Sequence, residues 1–448
     1  MIDATELTLL KNALDKLAEG YSELPEFSTE FDAGAVADVL QEVATRMHDN
    51  FPYYHPQYAG QMLKPPHPIA RIAYAMSLWV NPNNHALDGG RASSAMEKEC
   101  VIELGKMFGW DAPLGHLTGG GTMANLEALW VAGRLHPGKR IVASEQSHYT
   151  HSRISDVLGL PFSPVAVTGD GRMDVDALKV LLRDGDIGTV VATIGNTGLG
   201  GVDPLTELIA LQSEYDFRIH ADAAYGGYFG LAGNLRADTR AAYDSLAAVD
   251  SIVIDPHKHG LQPYGCGCIL FKDPSVGQLY KHGSPYTYFS SAELHLGEIS
   301  LECSRPGASA VALWATQRLL PLVRDGDFAA MLDDCLHAAR HFHEKLRGSR
   351  NFVPLMEPEL DIVVYAVDAP DSRSASERAR AVFANAAEHD LHLAMIELPV
   401  QLVQRYAPGI KVNSETITCL RSVLMKPEHL GWLDRIVEIL ERCAAGNP

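Results

Sequence analysis

Four polar side chains stand directly behind short apolar runs of the sequence, and their chemical types suit a covalent catalytic site. Lys258 follows the run "SIVID", and Asp222 ends the run "RIHAD". His148 follows "RIVASE", and Thr197 follows "TVVATIG". A lysine amine that is desolvated in a cleft can attack an aldehyde carbon. A buried carboxylate needs a cationic partner, and a protonated pyridine nitrogen is one that also draws electrons from a substrate.

Each of these side chains also has a purely structural interpretation. Lys258 could simply pair with Asp255 in a loop, and Asp222 could cap a helix that begins at the next residue. His148 and His151 have the spacing of a metal pair at a helix start, but no carboxylate at a suitable spacing completes the set. None of these structural interpretations accounts for both Lys258 and Asp222. We therefore favour a shared catalytic role.

A glycine run adds a third chemical element. It lies in "HLTGGGTMANLEALWVAGRL", where it leads into a helical pattern. Backbone N–H groups at a helix N-terminus bind anions, and the hydroxyls of Thr118 or Thr122 can add donors. The run is not a P-loop, because no Lys-Ser/Thr pair follows the glycines, and it lacks the G-x-G-x-x-G spacing. A phosphate cradle, a carboxylate for a pyridine nitrogen and an amine for an aldehyde together describe a site for pyridoxal 5′-phosphate (PLP).

Strands and helices that alternate between about residue 140 and residue 272 must position these groups. The strands are near-continuous Val/Ile runs, which indicates a mostly parallel sheet that is covered on both faces. Such sheets bind ligands at the carboxyl ends of their strands, where the four side chains stand. We predict an α/β fold with three parts: a helical arm over 1–50, a large PLP-binding domain over 51–325 and a small C-terminal α/β domain over 326–448.

Composition narrows the classes of partner. The net charge of the 448-residue chain is −19, which argues against nucleic acid and anionic membranes. The N-terminus lacks the pattern of a secretory signal, and no apolar run has the length of a membrane span. Seven scattered cysteines are typical of reduced thiols, and Cys266 and Cys268 lack a second pair that would complete a zinc site. We expect a cytoplasmic protein that acts on a small molecule.

The chain resembles the group II PLP-dependent decarboxylases of fold type I over roughly residues 50–425. The matching motifs are "TGGGTMANLEAL", "SEQSHYTHSRIS", "TIGNTGLGGVDPL", "RIHADAAYGG", "DPHKHGLQPYGCGCILF" and "LECSRPGASAVALW". The resemblance implies PLP-dependent decarboxylation of an L-amino acid to the amine and CO₂. It also implies a homodimer whose active sites lie between the subunits, with the first helix wrapped around the partner.

The resemblance assigns roles to individual residues near the cofactor. Lys258 corresponds to the lysine that forms the internal aldimine, and Asp222 to the partner of the pyridine nitrogen. His148 corresponds to the histidine that stacks on the ring and meets the substrate carboxylate. The other cofactor-binding positions correspond to Gly121, Thr122, Thr197 and His257. Asp255 stands where many members of the family carry asparagine.

The resemblance also implies substrate contacts. Arg305 corresponds to an arginine that pairs with the substrate α-carboxylate, although a surface ion pair is the alternative. Tyr286 or Tyr288 corresponds to the loop tyrosine that protonates the product carbanion, although two packed aromatic rings would look the same.

The expected side-chain pocket consists of His55, Tyr58 and Gln61. It suits either an aromatic or a polar, acidic substrate. Three other functions of the same fold stay open: a C–C lyase related to sphingosine phosphate lyase, an aminotransferase or desulfurase, and a PLP-binding protein without turnover.

Overall fold

Two β-sheets organise the chain, whose computed structural model describes residues 4–25, 27–281 and 299–445. The strands of the first sheet are β1 (Leu114–Thr118), β2 (Arg140–Ser144), β3 (Phe162–Val165), β4 (Ile187–Thr193), β5 (Arg218–Asp222), β6 (Ser251–Ile254) and β7 (Gly267–Phe271). Their spatial order is β1-β7-β6-β5-β4-β2-β3. Within the described part of this sheet, β7 runs in the opposite direction to the other six strands, so the predicted mostly parallel α/β sheet is confirmed.

The second sheet lies wholly in the C-terminal part of the chain. Its strands are β8 (Phe352–Pro354), β9 (Ile362–Val367), β10 (Ala394–Pro399) and β11 (Thr416–Val423). They pair in the order β10-β11-β9-β8 and are antiparallel throughout. This sheet and its helices form the small α/β unit that the sequence predicts.

Helices precede, cover and follow the two sheets. They are α1 (Ala4–Glu19), α2 (Ala33–Met47), α3 (Pro68–Ser77), α4 (Arg91–Met107), α5 (Gly121–Leu135), α6 (Thr150–Val157), α7 (Val175–Leu182), α8 (Leu205–Gln212), α9 (Ala237–Asp244), α10 (Gly307–Leu319), α11 (Asp327–Arg347), α12 (Ser372–Ala387), α13 (Val400–Gln404) and α14 (His429–Ala444). None of the helices described is both long enough and apolar enough to cross a bilayer. A short 3₁₀ turn, Leu246–Ala248, follows α9.

The central strands are buried because their residues are almost all small or β-branched. Every residue of β4 and β6 is buried, and in β5 the four residues from Ile219 to Asp222 are buried. Because β2, β4, β5 and β6 are parallel, their carboxyl ends meet at one edge of the sheet. The loops that carry the candidate catalytic residues leave the sheet at this edge.

A buried ion pair fixes the segment that enters α10. Arg305 is 5% exposed, and its Nη1 lies 2.6 Å from Glu97 Oε1 on α4 and 2.6 Å from the carbonyl oxygen of Leu117 on β1. Its Nη2 donates to the carbonyl of Asn84 at 3.2 Å. Glu97 also accepts from Asn84 Nδ2 at 2.6 Å and from the Leu117 N–H at 2.9 Å. Arg305 therefore ties α4, β1 and the loop between α3 and α4 to the start of α10.

Glu97→Gln should destabilise the protein strongly, because it leaves the guanidinium of Arg305 buried without its anion. Loss of one partner of a buried pair costs about 3–5 kcal/mol. The free energy of unfolding, measured by urea denaturation of the holoenzyme, should fall by an amount of this order. Glu99→Gln is the matched control, because Glu99 lies on the same helix and pairs with Arg318 at the exposed surface, where ion pairs contribute little. Equal effects of the two changes would contradict the structural role of Arg305.

Candidate active site

A cavity of about 630 Å³ lies at the carboxyl edge of the first sheet. Seven of the predicted site residues line it: Gly121, Thr122, His148, Thr197, Asp222, His257 and Lys258. They come from the N-terminus of α5 and from the ends of β2, β4, β5 and β6. Residues far apart in the sequence therefore meet because the parallel strands end together.

Lys258 reaches the cavity from the turn that follows β6. Its backbone N–H donates to the carbonyl of Asp255 at 2.9 Å, which closes the turn. The amine lies 3.1 Å from Asp255 Oδ2, and one fifth of the side chain is exposed. The structure thus contains the loop ion pair considered from the sequence, and the same amine also lines the cavity. His257, beside it, is fixed by a 2.8 Å contact between Nδ1 and the carbonyl oxygen of Cys266.

Asp222 is a buried carboxylate with two hydrogen-bond partners. Oδ2 lies 2.8 Å from His151 Nε2, and Oδ1 accepts the N–H of Ala224 at 3.2 Å. Burial raises the pKa of Asp222, but the bond with His151 and the charge of Lys258 outweigh it and leave the pKa below its usual value. The chain continues into a 3₁₀ helix, Gly227–Leu231, so Asp222 does not cap an α-helix that starts at the next residue.

His148 faces the cavity as a half-buried imidazole. Its Nδ1 lies 2.8 Å from Thr150 Oγ1, and its ring centroid is 4.5 Å from that of Tyr149. Burial lowers the pKa of His148, against a smaller opposing effect of Asp222, which favours the neutral ring at pH 7. His151 is buried and bonded to Asp222, so the two imidazoles do not act as a pair. Within the described ranges, no three His, Cys, Asp or Glu side chains group as metal ligands.

The glycine run forms a close-packed cradle at the start of α5. Gly120 has φ +148°, and a Cβ on Gly121 would lie only 2.7 Å from Asp255 Oδ2. The first helical bond runs from the Ala124 N–H to the Gly120 carbonyl at 3.1 Å, so the preceding N–H groups have no helical acceptor. Glu302 Oε2 accepts the N–H of Gly119 at 3.1 Å. The N–H groups of the first turn of α5, a nearby amine and a buried carboxylate match the phosphate, the aldehyde and the pyridine nitrogen of PLP.

The structure places the predicted substrate-binding residues away from the lining of this cavity. The Arg305 guanidinium does not suit the expected carboxylate contact, because both of its terminal nitrogens are bonded inside the protein. The His55 ring packs at 4.7 Å against Trp432 of α14, and the Tyr58 hydroxyl accepts the N–H of Gln61 at 3.2 Å. This segment packs on the C-terminal part of the chain. The expected tyrosines, Tyr286 and Tyr288, lie outside the described residues.

The sequence did not predict the positions that two buried residues, His151 and Arg421, occupy near the site. His151 could have been found from its place three residues after His148, which turns it toward the sheet. Arg421 lies on β11 and is 6% exposed, and among the described residues its Nε and Nη2 have no hydrogen-bond partner. Burial lowers the pKa of Arg421, while nearby Tyr225 and Asp361 raise it. Its apolar flanks in "CLRSVLM" gave no signal that the arginine is unpaired.

Solved structures share this fold. Rice TDC with PLP and tryptamine matches 99% of the chain with a TM-score of 0.81 at 16% identity, and 99% of that chain is covered. Mouse CSAD in its apo form matches 99% of the chain with a TM-score of 0.79 at 20% identity, and 92% of that chain is covered.

Sequence relatives point to one reaction. A probable L-tyrosine/L-aspartate decarboxylase of Methanothermobacter thermautotrophicus is 30% identical over 309 residues, which is 68% of this chain and 82% of the relative. The L-tyrosine decarboxylase of Enterococcus faecium is 26% identical over 79% of this chain and 76% of its own length. The model of the pyridoxal-dependent decarboxylase conserved domain matches residues 130–368. The chain is a PLP-dependent amino acid decarboxylase and belongs to the pyridoxal-dependent decarboxylase family.

Proposed function

We propose that this decarboxylase acts on L-tyrosine, with L-aspartate as the second candidate substrate. The proposal is carried by the charges of the cavity. Three carboxylates line the cavity, those of Asp222, Asp255 and Glu302. Within the described part of the chain, Lys258 is the one lysine or arginine that lines it. A second carboxylate on the substrate would add to this negative charge, and the phenol of tyrosine would not. Both substrates occur in the names of the relatives.

In the proposed mechanism, each residue holds or moves charge at a defined atom. PLP, when bound, supplies an electron sink for the bond that breaks at the substrate Cα. Lys258 would hold the cofactor aldehyde through Nζ, and the N–H groups of the first turn of α5 would hold its phosphate. An ionised Asp222 would keep the pyridine nitrogen protonated. Thr122, Thr197 and His257 also line the cavity and would complete the walls around the cofactor.

His148 and Arg421 are the proposed partners of the substrate. The neutral ring of His148 lines the cavity and could accept or donate a proton near the substrate Cα. Arg421 is the stronger candidate for the α-carboxylate than Arg305, because its guanidinium has unpaired donors and lies close to Tyr225, a residue of the cavity wall. A held carboxylate fixes the orientation of the bond that breaks. Orientation favours loss of CO₂ over loss of the α-proton.

L-tyrosine should release CO₂ and yield tyramine with a kcat/KM well above that for L-aspartate. The measurement is CO₂ release by the holoenzyme from all proteinogenic amino acids, with amine analysis of the products. Lys258→Ala should abolish turnover and the visible absorbance of the bound cofactor, because no other amine of the described cavity lining can bind the aldehyde. Lys64→Ala is a control for loss of a lysine, since Lys64 Nζ instead donates to the carbonyl of Met425.

Each other result of this panel identifies a different reaction. Preference for L-aspartate would overturn the charge argument but keep the decarboxylase. Cofactor absorbance with a keto-acid product would indicate an aminotransferase, and aldehyde release without CO₂ would indicate a C–C lyase. Full activity of Lys258→Ala would overturn the site itself.

We further propose that the chain forms a homodimer through its N-terminal arm. No residue of α1 or α2 is buried. On α2, the exposed apolar residues Val36, Val39, Leu40 and Val43 follow the i, i+3, i+4, i+7 spacing of one helix face. A second copy of the chain is the proposed occupant of this face, in line with the acidic, wrapped arm expected from the resemblance.

Leu40→Glu should convert the dimer to a monomer, because it places a charge in the centre of the apolar face. Thr45→Glu is the matched control: it adds the same charge to the opposite face of α2, where Thr45 is exposed. Sedimentation velocity at several protein concentrations measures the oligomeric state. A wild-type monomer, or equal behaviour of the two variants, would contradict the proposed interface.

We also propose the domain limits 1–50, 51–325 and 326–448 and a cytoplasmic location. The first sheet spans residues 114–271 and the second spans residues 352–423, so both fit inside these limits. All seven cysteines are free in the structure, which supports a reducing compartment.

A further inference from the structure

One buried residue beside the active site has no role in the mechanism described above. His151 lies on the first turn of α6 and is fully buried. His151 does not line the cavity, whereas Asp222 does. The Nε2 of His151 lies 2.8 Å from Oδ2 of Asp222. The contact crosses from α6 to the end of β5. It is therefore a tertiary contact that acts directly on the carboxylate of the active site.

The surroundings of His151 indicate which of its two ring nitrogens carries the proton that is donated to Asp222. Its Nδ1 is buried and has no hydrogen-bond partner among the described residues. A charged imidazolium would leave an N–H at Nδ1 unpaired in the interior, which is costly. The neutral tautomer with its proton on Nε2 avoids that cost, because Nε2–H donates to the carboxylate of Asp222. His151 thus donates to the carboxylate of Asp222 through Nε2–H.

We propose that His151 is a positioning residue that holds Asp222 ionised and oriented for the pyridine nitrogen of the cofactor. This inference rests on the role proposed above for Asp222. Of the two oxygens of Asp222, Oδ1 accepts the N–H of Ala224 and Oδ2 accepts Nε2–H of His151. Two donors from different elements leave the carboxylate little freedom to rotate. An oriented second partner of this kind also fixes ligands in metal sites, where its loss costs about 10–100-fold in affinity or activity.

The charge on Asp222 depends on all the groups that face it. Burial alone raises its pKa, and the bond with His151 is the largest opposing effect. Lys258 from the loop after β6 and His220 from β5 itself add smaller lowering effects. His148 faces it from the loop after β2, and burial lowers the pKa of that imidazole. Removal of His151 should therefore raise the pKa of Asp222, so that the carboxylate becomes protonated at a higher pH than in the wild type.

His151→Leu is the variant that removes the donor. With saturating PLP, kcat should fall by about 10-fold or more, as for other orienting partners, while KM changes little because His151 does not touch the cavity. The acid limb of the kcat–pH profile should move to higher pH. The PLP dissociation constant, measured by absorbance titration of the apoprotein, should rise by about 10-fold. His151→Gln, which can donate from a side-chain amide at a similar reach, should recover most of each effect.

His116→Leu is the matched control for the loss of a buried imidazole. The His116 Nε2 lies 3.0 Å from Oε2 of Glu127, both side chains are almost fully buried, and neither lines the cavity. This variant should lose thermal stability but keep the wild-type pH profile and PLP affinity. If His151→Leu behaves in the same way, His151 is only structural and the inference is wrong. Should His151→Leu fail to fold, His151→Asn replaces it, because that side chain is polar but too short to reach Asp222.

Asp222→Asn separates this inference from the proposed function. Loss of activity and of PLP affinity in Asp222→Asn, together with wild-type values in His151→Leu, would overturn only the role of His151. Wild-type activity of Asp222→Asn would overturn the proposed role of Asp222 itself, whatever the His151 variants do. Loss in Asp222→Asn and a shifted acid limb in His151→Leu, restored by His151→Gln, is the expected result.

Discussion

The site depends on a carboxylate that must stay charged although it is almost completely buried. Asp222 is 5% exposed at the end of β5. Burial of an unpaired charge is expensive, so the neighbouring elements have to supply donors and positive charge. They do so from α6 through His151 and from the loop after β6 through Lys258. The same parallel sheet that buries the carboxylate also brings these partners to it, because its strands end at one edge.

This dependence explains which parts of the site the sequence could predict. Lys258, Asp222 and His148 each follow a recognisable buried strand, and the position of a strand end in a parallel sheet decides where its next residues lie. The central strands were thus predictable because they are apolar runs rich in β-branched residues. Two strands gave no such pattern: β3 is an edge strand that contains Pro164, and β1 consists of the mixed residues "LGHLT".

The predicted substrate residues that do not line the cavity lie outside these strand ends. Arg305 precedes α10, and its partner Glu97 is more than two hundred positions away, so no local pattern reveals that the guanidinium is already bonded. Tyr58 and Gln61 lie in an irregular segment whose packing against the C-terminal part is decided by tertiary contacts. The Nε and Nη2 donors of Arg421, which have no partner among the described residues, are hidden from the sequence for the same reason. Its burial in an apolar strand is visible in the sequence, but its lack of a partner is a property of the folded protein.

The charge balance of the cavity links these observations. Asp222 and Lys258 both line the cavity, and Asp255 Oδ2 lies 3.1 Å from the amine of Lys258. The phosphate of PLP would add negative charge near the N–H groups of α5, where Glu302 already bonds to Gly119. A substrate carboxylate therefore meets a cavity wall that offers it little positive charge. In the proposed mechanism, Arg421, which lies beyond the wall, would hold that carboxylate in place. Its Nε and Nη2 have no partner among the described residues and would gain one when the substrate binds.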